Sequence, residues 1–310
     1  ELPNADQYLY SSYWGSSSLV PTNDYMFVEG KAIGLVRGFV SEGFYTVNDF
    51  RYENGQYILK EGIPDITKAL TATYMHPFNI PNGQTAFPGA AKFRDVNNSG
   101  TVDLDDATCL GEVMPRHTGS FQLNFNYKNF DLSSNFNWTA GGKVYNVAAM
   151  INASGQEFDG IGAQRTSWVA DTYKVYNVNS SGDLYAVTDP NELNALNANA
   201  KYHLPYHQSG ITSSEWLEDG SYLRLQTLTL GYTLPHTVLN KIHIEKLRIY
   251  LTATNLFTIT GYSGIDPEVN ATPTGQSGFY SNLRVFPTLN MDFGTYPRAR
   301  TFTLGANITF

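Results

Sequence analysis

Residues 95–106 (DVNNSGTVDLDD) carry the oxygen-ligand spacing that could hold a hard cation. Asp95, Asn97 and Ser99 supply side-chain oxygens at loop positions one, three and five, Gly100 permits the sharp turn at six, and the Thr101 carbonyl falls at seven. Asp103 stands at nine and Asp106 at twelve, which makes calcium the candidate cofactor. Ser at position five and the short Asp at twelve depart from the usual loop, and convincing flanking helices are missing. A plain turn held by side-chain-to-backbone hydrogen bonds suits the same residues, and both readings stay open. His203 and His207 are four apart, but Pro205 between them forbids a regular helix, so they read as loop histidines rather than a metal pair. Glu218 and Asp219 are adjacent and solvated, and no GxSxG-type nucleophile motif occurs. The residues therefore assemble no catalytic constellation, and the chain reads as a non-enzyme.

Large rings are the other chemical resource. Aromatics make up 14% of the chain, and the 21 Tyr outnumber the 20 Lys and Arg together, so many rings must lie at surfaces or interfaces. Trp14, Trp168, Trp216 and Tyr262 fall in loop-like segments, where they suit stacking on a sugar or peptide ligand, or simple packing of the loops. Charged residues are 15%, below the roughly 25% usual for soluble domains. A net charge of −8 excludes the basic footprint that nucleic acid needs. Cys109 stands alone, so no intrachain disulfide forms, and it is expected as a small buried side chain. No apolar run reaches the roughly 18 residues of a membrane-spanning helix, but amphipathic barrel strands escape that criterion. The polar opening Glu-Leu-Pro-Asn is no signal peptide, which for an exported protein means a mature chain or a fragment.

Period-two alternation supplies the elements that would position these residues. In the final stretch, residues 300–310 (RTFTLGANITF), Phe302, Leu304, Ala306, Ile308 and Phe310 share one face and Thr303, Gly305 and Asn307 the other. Residues 121–138 alternate likewise on either side of Lys128-Asn129 and read as a tight hairpin whose polar face is Asn, Gln and Ser. Residues 222–232 form a strand with a phase change near Gln226 that predicts a bulge, and 247–257 form another. Pro235 is expected to open one or two helical turns, and a further helical turn is expected near residues 66–73. The first 118 residues read as a largely irregular region with short Gly-interrupted strands, and 119–310 as strands with long connections at 139–221 and 258–299 and a short one at 233–246. That long–short alternation suits an all-β membrane barrel with long external loops and short turns on the other side. Phe130, Trp138, Tyr222, Tyr232, Tyr250, Phe257, Phe302 and Phe310 are candidates for its lipid-facing surface and aromatic girdles. The alternative is a secreted soluble β-sandwich that binds carbohydrate through a dockerin-like calcium loop.

The order DVNNSGTVDLDD, FQLNFNYKNFDLSSNFNW, WLEDGSYLRLQTLTLGYTLP, LRIYLTATNLFTITGYSGIDPE, YPRARTFTLGANITF resembles the C-terminal part of SusC/RagA-like TonB-dependent outer-membrane transporters of the Bacteroidetes. VEGKAIGLVRGFVSEGFY, upstream of these, is also similar to that family. The resemblance implies a large, 22-stranded transmembrane barrel in the outer membrane of a Gram-negative bacterium. It implies import of an oligosaccharide or peptide, capped by a SusD-like surface lipoprotein and driven by the TonB complex. It also implies that Phe310 belongs to the signal read by the barrel assembly machinery. Five confident strands are too few to close even a barrel of eight, and open sheet edges cannot sit in lipid, so a piece of a longer chain is expected.

Overall fold

The computed structural model describes residues 7–10, 16–17, 20–21, 25–68, 70, 76–154, 170–204, 211–239, 244–269, 290–292, 294 and 296–310. They divide into two units: Glu1–Val113 with Tyr145–Glu218 and Ala271–Phe293, and Met114–Val144 with Asp219–Asn270 and Gly294–Phe310.

The second unit is one antiparallel sheet of five strands in sequence order: β1 His117–Tyr127, β2 Phe130–Ala140, β3 Tyr222–Thr233, β4 Lys246–Thr260 and β5 Thr301–Thr309. Lys128, at φ 54°, turns β1 into β2, and the short helix His236–Leu239 follows Pro235 between β3 and β4. Register fixes two faces. Phe121 faces Phe136 with their rings stacked at 4.8 Å, and Leu132, Leu230, Leu251 and Leu304 run in one row across β2 to β5. Much of this apolar face is bare: Phe302 is 64% exposed, Leu304 75% and Phe125 64%, while Leu225 and Ala253 on the same face are buried among their neighbours. A sandwich would cover it with a second sheet, so the soluble β-sandwich expectation is not met by these strands.

The opposite face is built from amides and hydroxyls. Gln122 Nε2 donates to Ser133 Oγ at 3.1 Å, and Thr229 and Thr252 hydroxyls lie 2.9 Å apart. The register shifts between Leu225 and Thr227, as the phase change at Gln226 predicts, and β4 takes up a further residue near Asn255, at φ 51°. The extra residues let Leu223 and Leu225 share a face with Leu228 and Leu230 despite opposite parity. Two aromatic expectations are corrected. Tyr222 pairs with Thr139 and Tyr250 with Gly305, both on the polar face, because each alternates with an outward Leu or Ile neighbour. Across that face Arg248 Nε donates to Asp131 Oδ1 at 2.9 Å, spanning β3 above Gly231, where any Cβ would strike both partners. Tyr250 lies over Gly305 in the same way and under the Arg248 guanidinium at 5.1 Å.

The first unit is folded by rings and by side chains that bond to backbone. Phe50, Tyr57 and Phe78 pack edge to face in its main core, at 6.0 and 5.2 Å. The tyrosine hydroxyls of this core reach carbonyls: Tyr45 donates to Pro64 at 2.7 Å and Tyr57 to Thr188 at 2.8 Å. Gln84 accepts from the Leu59 amide and donates to the Tyr57 and Ala86 carbonyls, doing for irregular backbone what a ladder does for strands. Asp65–Ile66 is a short strand parallel to Thr101–Val102, and of the helical turn expected near residues 66–73 the Leu70 amide donates to the Thr67 carbonyl at 2.9 Å; residues 69 and 71–75 lie outside the described residues. Cys109 is exposed rather than buried, because it sits opposite Arg37 on the solvent side of Thr108–Glu112 while Val113 enters the core.

His203 and Glu215 meet inside this unit. His203 Nδ1 donates to the Leu204 carbonyl at 2.8 Å, and its Nε2 lies 3.7 Å from Glu215 Oε2. Burial pushes Glu215 up to about 7 and His203 down to about 4. The folded chain thus keeps a proton on Glu215 that the unfolded chain releases near 4.5, and stability falls as pH rises through 7. His203 acts oppositely: the unfolded chain binds a proton near 6.5 that the folded chain refuses until about 4, so stability falls as pH drops through that window. The slopes oppose one another where the windows overlap.

Two outcomes are expected. Glu215→Gln should raise the unfolding temperature of the chain at pH 8 by several degrees, equivalent to on the order of 3 kcal/mol, and change it little at pH 5; an equal change at both would remove the titration argument. Gly231→Ala should displace the Asp131–Arg248 bridge and lower the temperature at which the folded band is lost in detergent electrophoresis, by about 1–3 kcal/mol of stability. Gly261→Ala, where a Cβ meets nothing within 4 Å, should be neutral.

Candidate functional site

Two places bring functional groups together, and the polar face of the sheet is the larger. Its middle carries Gln122, Asn124, Ser133, Asn135, Thr229 and Thr252, uncharged donors and acceptors set by period two. Charges stand toward its ends. Near the Lys128 turn is the Asp131–Arg248 bridge; toward the other end is Arg224, 1% exposed. Arg224 Nε donates to Thr258 Oγ1 at 3.0 Å, and its two terminal nitrogens pair with Asp266 at 2.5 Å and Glu268 at 3.2 Å. The second Glu268 oxygen pairs with Arg298 at 2.6 Å, and the Tyr222 ring lies 5.3 Å from the Arg224 guanidinium. Asn137 sits opposite Arg224 on β2, and its buried Oδ1 has no hydrogen-bond partner among the described residues. The sequence reading missed this cluster. The available signal was a charge inside an apolar run, Leu223-Arg224-Leu225, where an unpaired charge would be costly.

The acidic loop is the second place. Asp106 is fully buried and closes it: Oδ1 accepts from the Val96 amide at 2.7 Å and the Asn97 amide at 3.2 Å, and Oδ2 from the Asp103 amide at 2.9 Å. Asp95 accepts from Ser99 and Gly100, Asn97 Oδ1 from Ser99, and Asp103 from Asp105. Ser99 Oγ donates to the Thr101 carbonyl at 2.9 Å. Each ligand expected from the spacing is therefore also a hydrogen-bond partner of the turn, and Asp106 Oδ1, accepting from two amides, has both lone pairs engaged. Among the described residues no three His, Cys, Asp or Glu side chains converge as a metal-holding group. An open pocket of about 450 Å3 borders the loop, lined by Glu42, Arg94, Asp95 and Asn98 among others, with Arg94 paired to Glu42 at 2.9 Å.

The ring candidates separate. Trp216 is buried, parallel to Tyr202 at 6.1 Å, in a small core with Val36, Val113 and Met150. Tyr262 is buried with Val144 and Val269. Trp14, Trp168 and His207 lie outside the described residues. Phe310, just past β5, is 87% exposed.

No family model matches the chain. Over 91% of its length it is 28% identical to TonB-dependent receptor P3 of Formosa agariphila, and over 72% it is 30% identical to TonB-dependent receptor P26 of that organism. Over 70% it is 27% identical to TonB-dependent receptor SusC of Bacteroides thetaiotaomicron. The chain spans only 22%, 20% and 17% of those three relatives. Its fold matches 25% of a chain in the structure of the RagAB peptide transporter, with a TM-score of 0.56 at 18% identity, covering 99% of this chain. A second RagAB structure, the peptide importer in its closed-closed state, matches with a TM-score of 0.54 at 20% identity over the same shares of the two chains. These relatives are receptors and transporters rather than enzymes. The two-faced sheet and these matches agree: over most of its length the chain is similar to SusC/RagA-like TonB-dependent receptors.

Proposed function

We propose that β1 to β5 are part of the wall of a large transmembrane barrel in the outer membrane of a Gram-negative bacterium. The complete protein would import a nutrient, an oligosaccharide or a peptide, with a SusD-like lipoprotein at the cell surface and energy from TonB. The observation that carries this reading is the sheet's two faces, one of bare Leu, Ile and Phe, the other of amides and hydroxyls. Strands of 9 to 15 residues are long enough to cross a bilayer when tilted. Among the described residues β1 and β5 each have one neighbour in the sheet, and the other edge of each needs a partner strand if lipid surrounds it. A barrel closed by further strands of the same protein meets that need, and the number 22 rests on the family resemblance alone. The RagAB structures are described as peptide transporters, which supports peptide as one cargo class for the whole protein.

The test reverses the usual logic of surface mutations. Leu304→Arg should cost about 2–4 kcal/mol in a bilayer and deplete the folded form from the outer-membrane fraction, whereas Thr303→Arg on the polar face should be tolerated. In a water-exposed module Leu304→Arg would be harmless, and that result would sink the membrane reading. For the cargo, cells carrying the full-length gene should take up labelled oligosaccharides or labelled peptides only with TonB intact. Uptake of neither, or uptake unaffected by loss of TonB, would contradict import.

A further inference from the structure

The ion cluster on β3 joins pieces that the strand ladder leaves apart. Asp266 and Glu268 lie just beyond β4, and Arg298 just before β5. One network therefore ties both roots of the β4–β5 connection to a third strand through Arg224. The two arginines and two carboxylates sum to zero charge, and Asp266 Oδ1 also accepts from the Glu268 amide at 2.9 Å, which fixes the backbone between the carboxylates. The segment is anchored on its apolar side too: Tyr262 and Val269, 5% and 6% exposed, pack with Val144. One side of residues 261–269 is thus buried, at 262, 266, 267 and 269, while Ile265 on the other side is 59% exposed.

We propose that Arg224 is a positioning residue of the wall. It clamps residues 261–269 onto the polar face of β3, so that this segment, with Ile265 outermost, and not bare strand, borders the passage at that level. A long connection would ordinarily leave its roots free to splay. Here they cannot leave without stripping the buried Arg224 of both its carboxylate partners, and an unpaired buried charge is costly. Arg suits the role where Lys would not, because its planar fork meets Thr258, Asp266 and Glu268 at once. The proposal rests on the transport reading only for the word passage. Its test reads the clamp whatever the cargo, as the uptake assay reads the cargo whatever the clamp.

The experiment uses the full-length protein in outer-membrane vesicles, with Cys109→Ser and any other cysteine replaced, because Cys109 is exposed and would react. A single cysteine is placed by Val269→Cys, and its reaction with a membrane-impermeant maleimide is timed by intact mass. With Arg224 present the buried site should react slowly. Arg224→Gln combined with Asp266→Asn and Glu268→Gln removes the charges without orphaning a carboxylate, and should speed labelling at least about tenfold. Arg248→Gln, in the bridge toward the other end of the sheet, should leave the rate unchanged. Retention of the heat-modifiable band shows that the sheet is intact. An unchanged rate in the triple variant, or an equal acceleration by Arg248→Gln, would overturn the clamp. Should the triple variant not assemble, Arg224→Lys is judged by the same criterion: faster labelling supports the clamp and an unchanged rate overturns it.

Discussion

A strand's backbone amides and carbonyls each need a hydrogen-bond partner, and the second unit is organised around that constraint. From β1 to β5 each strand is laddered to the next over nearly its whole length, 11 paired positions between β1 and β2 and nine between β4 and β5. Once the ladder is fixed, period two decides the rest: each step along a strand sends a side chain alternately to the apolar and to the polar face. The bulge at Gln226 shows how strictly this holds. Without an added residue, the β3 leucines on one side of it would point to the wrong face, so the chain gives up a local pairing to keep the faces consistent.

Charges on the polar face are held in the same spirit. Arg248 and Asp131 stand on strands separated by β3, and they reach one another because Gly231 between them has no side chain. At Gly305 the missing side chain makes room for the Tyr250 ring, which in turn supports Arg248. The glycines therefore are not weak points of the strands but the places where long side chains lie flat across a neighbour. The first unit solves a different problem. Its segments have few ladders, and polar backbone is bonded by Gln84, Asp65 and the hydroxyls of buried tyrosines, so side-chain chemistry replaces regular structure.

What could be read from the sequence follows from the range of each signal. The hairpin at Lys128-Asn129, the bulge at Gln226, the helical turn after Pro235 and the faces of β5 all depend on neighbours within a few residues, and alternation or turn chemistry displays them directly. Tyr222 and Tyr250 were misplaced because the expectation that aromatics gather at a membrane boundary competes with strand parity, and parity wins inside a ladder. Cys109 was misplaced because its residue type favours burial while its position opposite Arg37 puts it in solvent. The Arg224 cluster stayed hidden for a reason of distance: its partners Asp266 and Glu268 are 42 and 44 residues away, joined only when β4 pairs with β3.

That hidden cluster also explains why a charge stands in a strand otherwise without one. Replacing a buried ion pair by well-packed apolar residues is often neutral or stabilising, so net stability alone is a weak reason for Arg224 to be there. A packed Leu at that position would satisfy β3 equally well, but it would accept any neighbouring apolar side chain in many arrangements. The guanidinium accepts one arrangement, with Thr258, Asp266 and Glu268 at fixed angles and Arg298 behind them. Two of the sequence blocks that carry the family resemblance, YLRLQT and GIDPE, are thereby the two halves of one contact. The ladder would form whatever residues β3 carried on its polar face; the ion network selects which backbone lies upon that face.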